Sequence, residues 1–297
     1  MTRPPNGQAE QIDDSVRRIL APNPGPMTHW GTNTWIVGES DVAVIDPGPD
    51  DNTHLDAILS ATAGETITHI LVTHPHADHS PLSQKLSERT GAPVLGFGAP
   101  TDGWSAVMER LSAEIEMGGG EGVDALFRPD RRISEGEIIA GTSWSLEVTH
   151  TPGHFAGHLG FRLGQSLFSG DHVMDWASTL VSPPDGDVSA FRTTCERLVG
   201  MNLRRCFPGH GAPIDDPSGR LSWLMVHRRS RELSILGALG STPLSIMEIT
   251  ATVYRDVPQA MHQMAARNVL AHLIDLWERN LITASPSLSH EARFSAR

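Results

Sequence analysis

The segment from Thr73 to Ser80 contains four side chains out of eight that can bind a metal ion. In an extended or looped backbone alternate residues share a side, so His74 and His76 can reach the same ion. Asp78 and His79 can then turn towards a second ion. Imidazole and carboxylate donors without thiolates favour zinc, and they also suit iron or manganese. The spacing therefore predicts a site for two divalent metal ions, with Zn²⁺ as the preferred metal.

Three further candidate ligands lie far along the chain, and each follows a predicted strand. They are His154 in Thr-Pro-Gly-His, Asp171 in Gly-Asp-His and His210 in Pro-Gly-His-Gly. Strand ends at one edge of a layered sheet can bring such residues together. The donors then divide into two sets of three and one bridging carboxylate. The predicted sets are His74, His76 and His154 for one ion, Asp78, His79 and His210 for the other, and Asp171 between them.

Two divalent ions about 3.5–4 Å apart lower the pKa of a shared water towards about 7, which gives a bridging hydroxide at neutral pH. One ion can polarise the attacked carbonyl or phosphoryl oxygen while the other stabilises the leaving oxygen or sulfur. The reaction class is therefore hydrolysis. Within the ligand set, Asp78 and Asp171 are the predicted catalytic residues.

Five other residues are predicted to support the ligands or to line the pocket: Asp46, Thr73, His158, His172 and Trp176. Asp46 ends a predicted strand, and a role in forming the turn is the alternative. His158 suits packing or a hydrogen bond behind the ligands. His172 points away from its neighbour Asp171 if the strand continues, and lining the pocket is the alternative. Trp176 lies on the following loop, as part of a substrate wall or of a structural loop.

The ligand segment lies between a strand predicted at Ile67–Val72 and a helix with Ser80 as N-cap and Pro81 at its first position. Periodicity and turn residues predict the other elements that position the site. The strands are Thr34–Gly38, Val42–Asp46, Pro93–Phe97, Ile133–Ala140, Ser145–Thr149, Leu159–Leu163, Ser166–Ser169 and Arg205–Phe207, and the helices are Thr53–Thr62 and Ser189–Leu198.

Residues 99–129 differ from the rest of the chain in their pattern of apolar residues and glycines. Trp104, Val107, Met108 and Leu111 have helical spacing, and the glycine-rich stretch Met117–Gly122 follows them. An apolar helix beside a glycine-rich loop suits a lid over a site. A packed insertion is the alternative.

Beyond a linker predicted at Pro213–Gly219, the pattern changes to three helices and a strand. The helices are predicted at Leu221–Leu239, Met247–Tyr254 and Pro258–Leu276, and the strand at Leu281–Thr283, an order typical of a winged helix. Charge along these helices is near balance, with the basic residues Arg228, Arg229, Arg231, Arg255, Arg267 and Arg279 against the acidic residues Glu232, Glu248, Asp256, Asp275 and Glu278. That balance argues against a stripe of basic residues that binds nucleic acid. It favours a C-terminal module that packs beside the active site.

Composition limits the classes of function. The chain has 297 residues, 39% of them hydrophobic, so it can bury a core. Its net charge of −12 means that it lacks the general excess of basic residues that attracts nucleic acid. Its two cysteines form no disulfide framework, and it shows no signal-peptide pattern and no membrane-length apolar run. These features predict a cytoplasmic protein that does not bind a membrane.

Taken together, the motifs resemble those of the metallo-β-lactamase superfamily over roughly residues 25 to 215. The domain order is similar to that of its lactamase-like protein 2 subgroup. The resemblance implies an α/β fold, an αββα sandwich with the dinuclear site along one edge, followed by a small helical winged-helix-like domain. We expect a flexible N-terminal arm at 1–20, a hydrolase domain at 21–217 and the winged-helix-like domain at 218–297.

The resemblance leaves the substrate open. The full ligand set is similar to those of glyoxalase II-like thioesterases and RNase Z-like phosphodiesterases, whereas zinc β-lactamases of the relevant kind lack the bridging aspartate. A mono-iron persulfide dioxygenase fits less well because the second ligand set is complete. We expect a small ester, thioester or lactone as substrate. The alternatives are a single-strand endoribonuclease, for which RNA would be the partner, a hydrolase with weak β-lactamase activity, and a non-enzymatic nucleic-acid-binding regulator. The oligomeric state stays open.

Overall fold

The computed structural model describes residues 3–114, 120 and 122–297, with the backbone only at residue 114. The strands within these residues are β1 (Ala9–Asp13), β2 (Val16–Leu20), β3 (Asn33–Glu39), β4 (Asp41–Ile45), β5 (Thr66–Leu71), β6 (Val94–Gly96), β7 (Arg131–Arg132), β8 (Ile138–Ala140), β9 (Ser145–His150), β10 (Leu159–Leu163), β11 (Ser166–Gly170), β12 (Arg205–Pro208), β13 (Leu244–Ser245), β14 (Ile282–Ser285) and β15 (Arg293–Ala296). The helices are α1 (Asn52–Ala61), α2 (Leu82–Thr90), α3 (Ala106–Glu114), α4 (Val188–Gly200), α5 (Pro217–Ala238), α6 (Ile246–Val253) and α7 (His262–Glu278), and a 3₁₀ turn spans Gln259–Met261.

Two sheets form the main body. The first has seven strands in the order β1 to β7, and the second has five in the order β12-β11-β10-β9-β8. Strands β4, β5 and β6 run parallel because α1 and α2 cross over between them, and α4 makes the same crossover between β11 and β12. Parallel strands end at one edge, so the loops after them gather there.

A buried apolar layer holds the two sheets face to face. Trp35, Ile45 and Leu71 of the first sheet belong to the same cluster as Phe161 and Phe168 of the second. The outer face of the first sheet packs on α1 and α2, and the outer face of the second packs on α4 and α5. The layer order is therefore helix, sheet, sheet, helix, and the predicted αββα sandwich is confirmed.

The C-terminal segment has its own core. Strands β13, β15 and β14 form a three-stranded sheet, and Ile249, Leu273 and Phe294 bury their side chains between it and the helices α6 and α7. Ser245 starts α6 with a capping box in which its hydroxyl accepts from the Glu248 N–H. The predicted helices and the strand near residue 282 are present, and β15 is an additional strand in the predicted polar tail.

The N-terminal prediction needs correction. Residues 9–20 of the expected flexible arm form β1 and β2, and Val16, Ile19 and Leu20 are buried. Strand β2 pairs with β3 over five residue pairs. This pairing explains why a segment that looks polar in sequence forms a strand.

Smaller differences concern element boundaries. The expected linker at 213–219 is not free, because Ile214 exchanges both backbone hydrogen bonds with Cys206 and α5 already begins at Pro217. The predicted strand at 133–140 shortens to β8. Helix α2 has Pro81 as its N-cap in place of the predicted Ser80, whose hydroxyl donates to Asp124.

Each helix in the described part of the chain is too short or too polar to span a membrane.

The predicted helix near residue 104 is α3, and it is packed. Val107, Met108 and Leu111 lie in the apolar core of the C-terminal segment, and Trp104 packs against that core. The packed-insertion alternative therefore describes this helix. Residues 117–119 and 121 of the predicted lid loop lie outside the described residues.

Candidate metal centre

The candidate ligands, and Asp46 behind them, lie where strands of both sheets end at a common edge. Asp46 follows β4 and the histidine segment follows β5, both in the first sheet. His154, Asp171 and His210 follow β9, β11 and β12 of the second sheet. The site therefore bridges the two sheets, and candidate ligands up to 136 positions apart in sequence, from His74 to His210, meet there.

The first predicted ligand set converges in space. The Nδ1 atom of His76 lies 2.9 Å from Nε2 of His74 and 3.2 Å from Nε2 of His154. All three side chains are buried or nearly so, and their donor atoms lie close enough together to surround one ion.

The second predicted set converges beside the first. Oδ2 of Asp78 lies 3.0 Å from Nε2 of His210 and 3.4 Å from Nε2 of His79, and the two imidazole nitrogens are 3.3 Å apart. These three donors can also surround one ion.

Asp171 lies between the two sets. Its Oδ2 is 3.3 Å from Nε2 of His210 and 3.9 Å from Nε2 of His154, and its Oδ1 is 3.5 Å from Nε2 of His79. Oδ1 is buried and has no hydrogen-bond partner among the described residues. A buried carboxylate oxygen without a donor is costly, and a cation would satisfy it.

Asp46 organises the ligand segment from behind. Its Oδ1 accepts from the Thr73 N–H at 2.8 Å, and its Oδ2 accepts from the Thr73 hydroxyl at 2.8 Å and from His79 Nδ1 at 2.9 Å. Because the Thr73 hydroxyl donates to Asp46, it can accept from Nδ1–H of His74 at 3.0 Å. Asp46 adopts a φ of 51°, a left-handed conformation that aspartate tolerates at a sharp turn. Asp46 thus contacts His79 directly and reaches His74 through Thr73, and its supporting role stays a prediction.

Backbone carbonyls orient two other ligands. Nδ1 of His154 donates to the carbonyl of Leu180 at 2.7 Å, and Nδ1 of His210 donates to the carbonyl of Gly31 at 3.2 Å. With Nδ1 protonated, the Nε2 atom of each ring faces the centre, where it can bind a metal. The tautomer assignment follows from the hydrogen bonds.

The protonation of the two sets differs in the absence of a metal. Burial lowers the pKa of His74, His76 and His154, to about 3 for His76. Burial also acts to lower the pKa of His79 and His210, but nearby carboxylates outweigh it and raise the pKa of His210 to about 9 and that of His79 well above its usual value.

The positive charges of protonated His79 and His210 stabilise the ionised form of the two acidic ligands. Burial acts to raise the pKa of Asp78 and Asp171, but His79 and His210 outweigh it, so the pKa of both carboxyls lies well below its ordinary value. A metal at the second set would therefore replace protons on imidazoles.

A close backbone approach explains one glycine of the Pro-Gly-His-Gly motif. A Cβ atom at Gly209 would lie 2.3 Å from Oδ1 of Asp171 and 2.7 Å from the ring of His79. Only glycine fits between these two side chains without displacing them.

The remaining predicted residues lie in different places. His158 contacts two candidate ligands: its Nε2 accepts from the Asp171 N–H at 3.2 Å, and its ring stacks on His74. The ring of His172 points away from the cavity, because it stacks on Phe191 and its Nε2 contacts Cys195 Sγ. The pocket-lining alternative for His172 is therefore incorrect.

Trp176 stacks on His29 at 4.8 Å and does not line the cavity formed by the described residues. It is part of a loop packed against the N-terminal region, and the prediction that it forms a substrate wall is not matched by this arrangement.

A cavity of about 380 Å³ opens onto the ligands. His76, Asp78, His154, Asp171 and His210 line its floor. Helix α7 contributes part of its wall, and Met27 and Leu180 contribute apolar surface. The wall residues from α7 are Gln263, Met264 and Arg267.

Sequence reasoning missed these wall residues and the two backbone carbonyls that accept hydrogen bonds from His154 and His210. Any residue supplies a carbonyl, so nothing in the sequence marks Gly31 or Leu180. Helix α7 reaches the cavity only through the packing of the C-terminal segment on the sandwich.

Comparisons with known proteins agree with this geometry. A profile of the metallo-beta-lactamase superfamily matches residues 27–210, and a profile of the beta-lactamase associated winged helix domain matches residues 245–287. The beta-lactamase-like protein 2 homolog of Drosophila melanogaster is 30% identical over 295 residues, covering 95% of this chain and 94% of that protein.

Two other similarities concern activity and fold. An atrochrysone carboxyl ACP thioesterase of Cryptosporiopsis is 29% identical over 243 residues, covering 80% of this chain and 67% of that protein. The crystal structure of a beta-lactamase domain protein from Burkholderia ambifaria matches with a TM-score of 0.80 at 20% identity, covering 100% of this chain and 95% of that one. Its identity is low, so this match shows the fold alone. Since the superfamily profile spans most of the chain, the protein belongs to the metallo-β-lactamase superfamily of hydrolases and has a C-terminal winged helix domain.

Proposed function

We propose that the protein is a dinuclear metal-dependent hydrolase of an ester, thioester, lactone or related small substrate. The observation that supports it most directly is the meeting of two three-donor sets at Asp171. A single set would suit one ion, whereas a shared carboxylate between two sets suits two.

The donor geometry fits zinc. A tetrahedral ion with ligand distances of about 2.0–2.1 Å needs donors about 3.3 Å apart. Five of the donor separations within the two sets run from 2.9 Å, between His74 and His76, to 3.4 Å, between Asp78 and His79. Iron and manganese accept the same imidazole and carboxylate donors, so metal analysis must identify the ion.

Bound ions would supply a water of lowered pKa and polarise the substrate carbonyl. The chain's own residues position the reactants. Asp171 fixes the two ligand sets relative to each other. Asp78 has a side chain 27% exposed, and its low pKa keeps it ionised, so it can accept a hydrogen bond from the attacking water and orient it.

The cavity walls favour a small acyl substrate. Met27, Leu180 and Met264 offer apolar contact for an acyl chain, and Gln263 and Arg267 add polar groups near it. The thioesterase among the relatives supports a thioester in particular. The net charge of −12 weighs against RNA as the substrate.

The test combines metal analysis with a substrate panel on the purified full chain. We expect about two zinc ions per chain and turnover of a thioester or ester that falls at least about 100-fold in Asp171→Asn. Glu88→Gln, an exposed carboxylate on α2, is the matched control and should keep both metal and activity.

Lactone, nitrocefin, a phosphodiester and single-stranded RNA complete the panel. Absence of bound metal, or full activity in Asp171→Asn, would contradict the dinuclear mechanism. Cleavage of RNA alone would replace the substrate class by that of an endoribonuclease.

A further inference from the structure

The loop from Trp176 to Asp185 touches two candidate ligands. The carbonyl of Leu180 accepts from Nδ1 of His154 at 2.7 Å, and the hydroxyl of Thr179 donates to the backbone carbonyl of Asp171 at 3.0 Å. The position of this loop therefore sets the orientation of the His154 ring and supports the backbone of Asp171.

The loop does not adopt this conformation for local reasons. Thr179 has a φ of 57°, in the left-handed region that a β-branched residue strongly disfavours. Such a conformation persists only where the surrounding structure holds it. The contacts that hold residues 178–181 are therefore the relevant ones.

Two residues from the C-terminal helices make those contacts. The Nη2 atom of Arg228, on α5, donates to the carbonyls of Ser178, at 2.7 Å, and of Thr179. The Oδ1 atom of Asn268, on α7, accepts from the Val181 N–H at 3.1 Å and from Nη1 of Arg228 at 2.9 Å. The amide oxygen of Asn268 thus connects the loop to Arg228, which itself donates hydrogen bonds to the loop.

We propose that Asn268 and Arg228 are positioning residues for the metal centre. By holding residues 178–181, they present the Leu180 carbonyl to His154 and so set the affinity of the His74, His76 and His154 set for its ion. The winged helix domain then acts on metal binding through backbone contacts, without supplying a ligand. This inference rests on the proposed function, since it requires a bound metal.

The test exploits the fact that both contacts of Asn268 use the same acceptor oxygen. Asn268→Leu removes this oxygen, and Asn268→Asp keeps it. We expect one of two zinc ions to bind about 10–100-fold more weakly in Asn268→Leu, the usual effect of removing a group that orients a ligand. Asn268→Asp should retain near wild-type affinity. Chelator competition with metal analysis at each step measures both.

A second readout reports on the ring itself. In ¹H–¹⁵N spectra of the metal-free histidines, the wild type should show His154 protonated at Nδ1, and Asn268→Leu should show a mixture of tautomers. Should Asn268→Leu not fold, Asn268→Ser takes its place, because a serine hydroxyl is too short to reach both donors.

Arg192→Met is the control for general weakening of the packing between helices. It removes the 3.2 Å ion pair of Arg192 on α4 with Asp275 on α7 and does not touch the loop. We expect it to retain both ions with wild-type affinity.

The outcomes separate the two proposals. If the wild type binds no metal, the proposed function fails. If the wild type binds two ions and Asn268→Leu binds both equally well, only the present inference fails. Equal weakening of both ions, or the same weakening in Arg192→Met, would also overturn it.

Discussion

Asp46 contacts the candidate metal ligands without facing the cavity. Its two oxygens accept three hydrogen bonds, two from Thr73 and one from His79, and it is 1% exposed. A carboxylate can only accept, which fixes the proton of His79 on Nδ1 and leaves Nε2 towards the second ligand set.

Asp46→Asn should therefore weaken metal binding. An amide NH₂ at the position of Oδ2 would face two donors, so the hydrogen bonds to the Thr73 hydroxyl and to His79 cannot both persist. We expect about 10–100-fold lower affinity for one ion, measured by chelator competition. Asp56→Asn on the exposed side of α1 serves as the control, and equal zinc affinity in the two variants would refute the assignment.

Buried histidines away from the candidate metal centre are expected to make stability depend on pH. Burial lowers the pKa of His272 to about 3 and that of His54 to about 4. Neither ring nitrogen of His272 has a hydrogen-bond partner among the described residues. In the unfolded chain these groups bind protons near pH 6.5, so below that pH the unfolded state takes up more protons and stability falls.

His272→Leu should flatten this profile. One proton corresponds to about 1.4 kcal/mol per pH unit, so between pH 6.5 and 5 the free energy of unfolding should lose on the order of 2 kcal/mol less than in the wild type. Urea unfolding of metal-free protein at both pH values measures the difference. The exposed His290→Gln is the control, and identical slopes for wild type and His272→Leu would rule out the buried neutral state.

At the scale of elements, α3 belongs with the C-terminal core. Val107, Met108 and Leu111 are between 2% and 7% exposed and pack in the same cluster as Leu273 of α7. A helix with this much buried surface stabilises the fold, and opening it as a lid would expose that surface to water.

Leu111→Ala tests this role. Removing a buried leucine side chain should cost about 2–5 kcal/mol in the free energy of unfolding. Leu126 is 89% exposed, so Leu126→Ala should change stability by less than about 0.5 kcal/mol. Chemical denaturation compares the two, and similar small losses would mean that α3 is not part of the core.

At the scale of the whole molecule, α5 connects two cores. Leu221 and Leu224 near its start pack with α4 against the second sheet, and Ile235 near its end packs with α6 and α7. We propose that the hydrolase domain ends at residue 217 and that the winged helix domain spans 218–297, with α5 as the shared element. The strands β1 and β2 then extend the hydrolase domain towards the N-terminus.

A chain ending at Asp216 should consequently fold poorly. Loss of α5 and α7 exposes the apolar faces of α3 and α4 and removes the residues that grip the loop at 178–181. We expect aggregation or the loss of cooperative thermal unfolding, measured by size-exclusion chromatography and calorimetry. A soluble truncated monomer with a sharp transition and two bound metal ions would contradict this dependence.

The sequence by itself determined the chemistry of the donors and their order along the chain. Histidines two residues apart after an apolar strand, and single ligands after later strands, are local patterns, and local backbone geometry decides which side chains share a side. The strands and helices that carry the ligands were predictable for the same reason.

Only the tertiary structure decided how the ligands are supported and what surrounds them. The carbonyls of Leu180 and Gly31 have no signature in the sequence, and β1 and β2 form because β2 pairs with β3 and β1 pairs with β2. Helix α7 reaches the cavity, and His172 turns towards Phe191, through contacts between distant parts of the chain. Such contacts depend on which surfaces meet after folding, and periodicity within one segment carries no information about that.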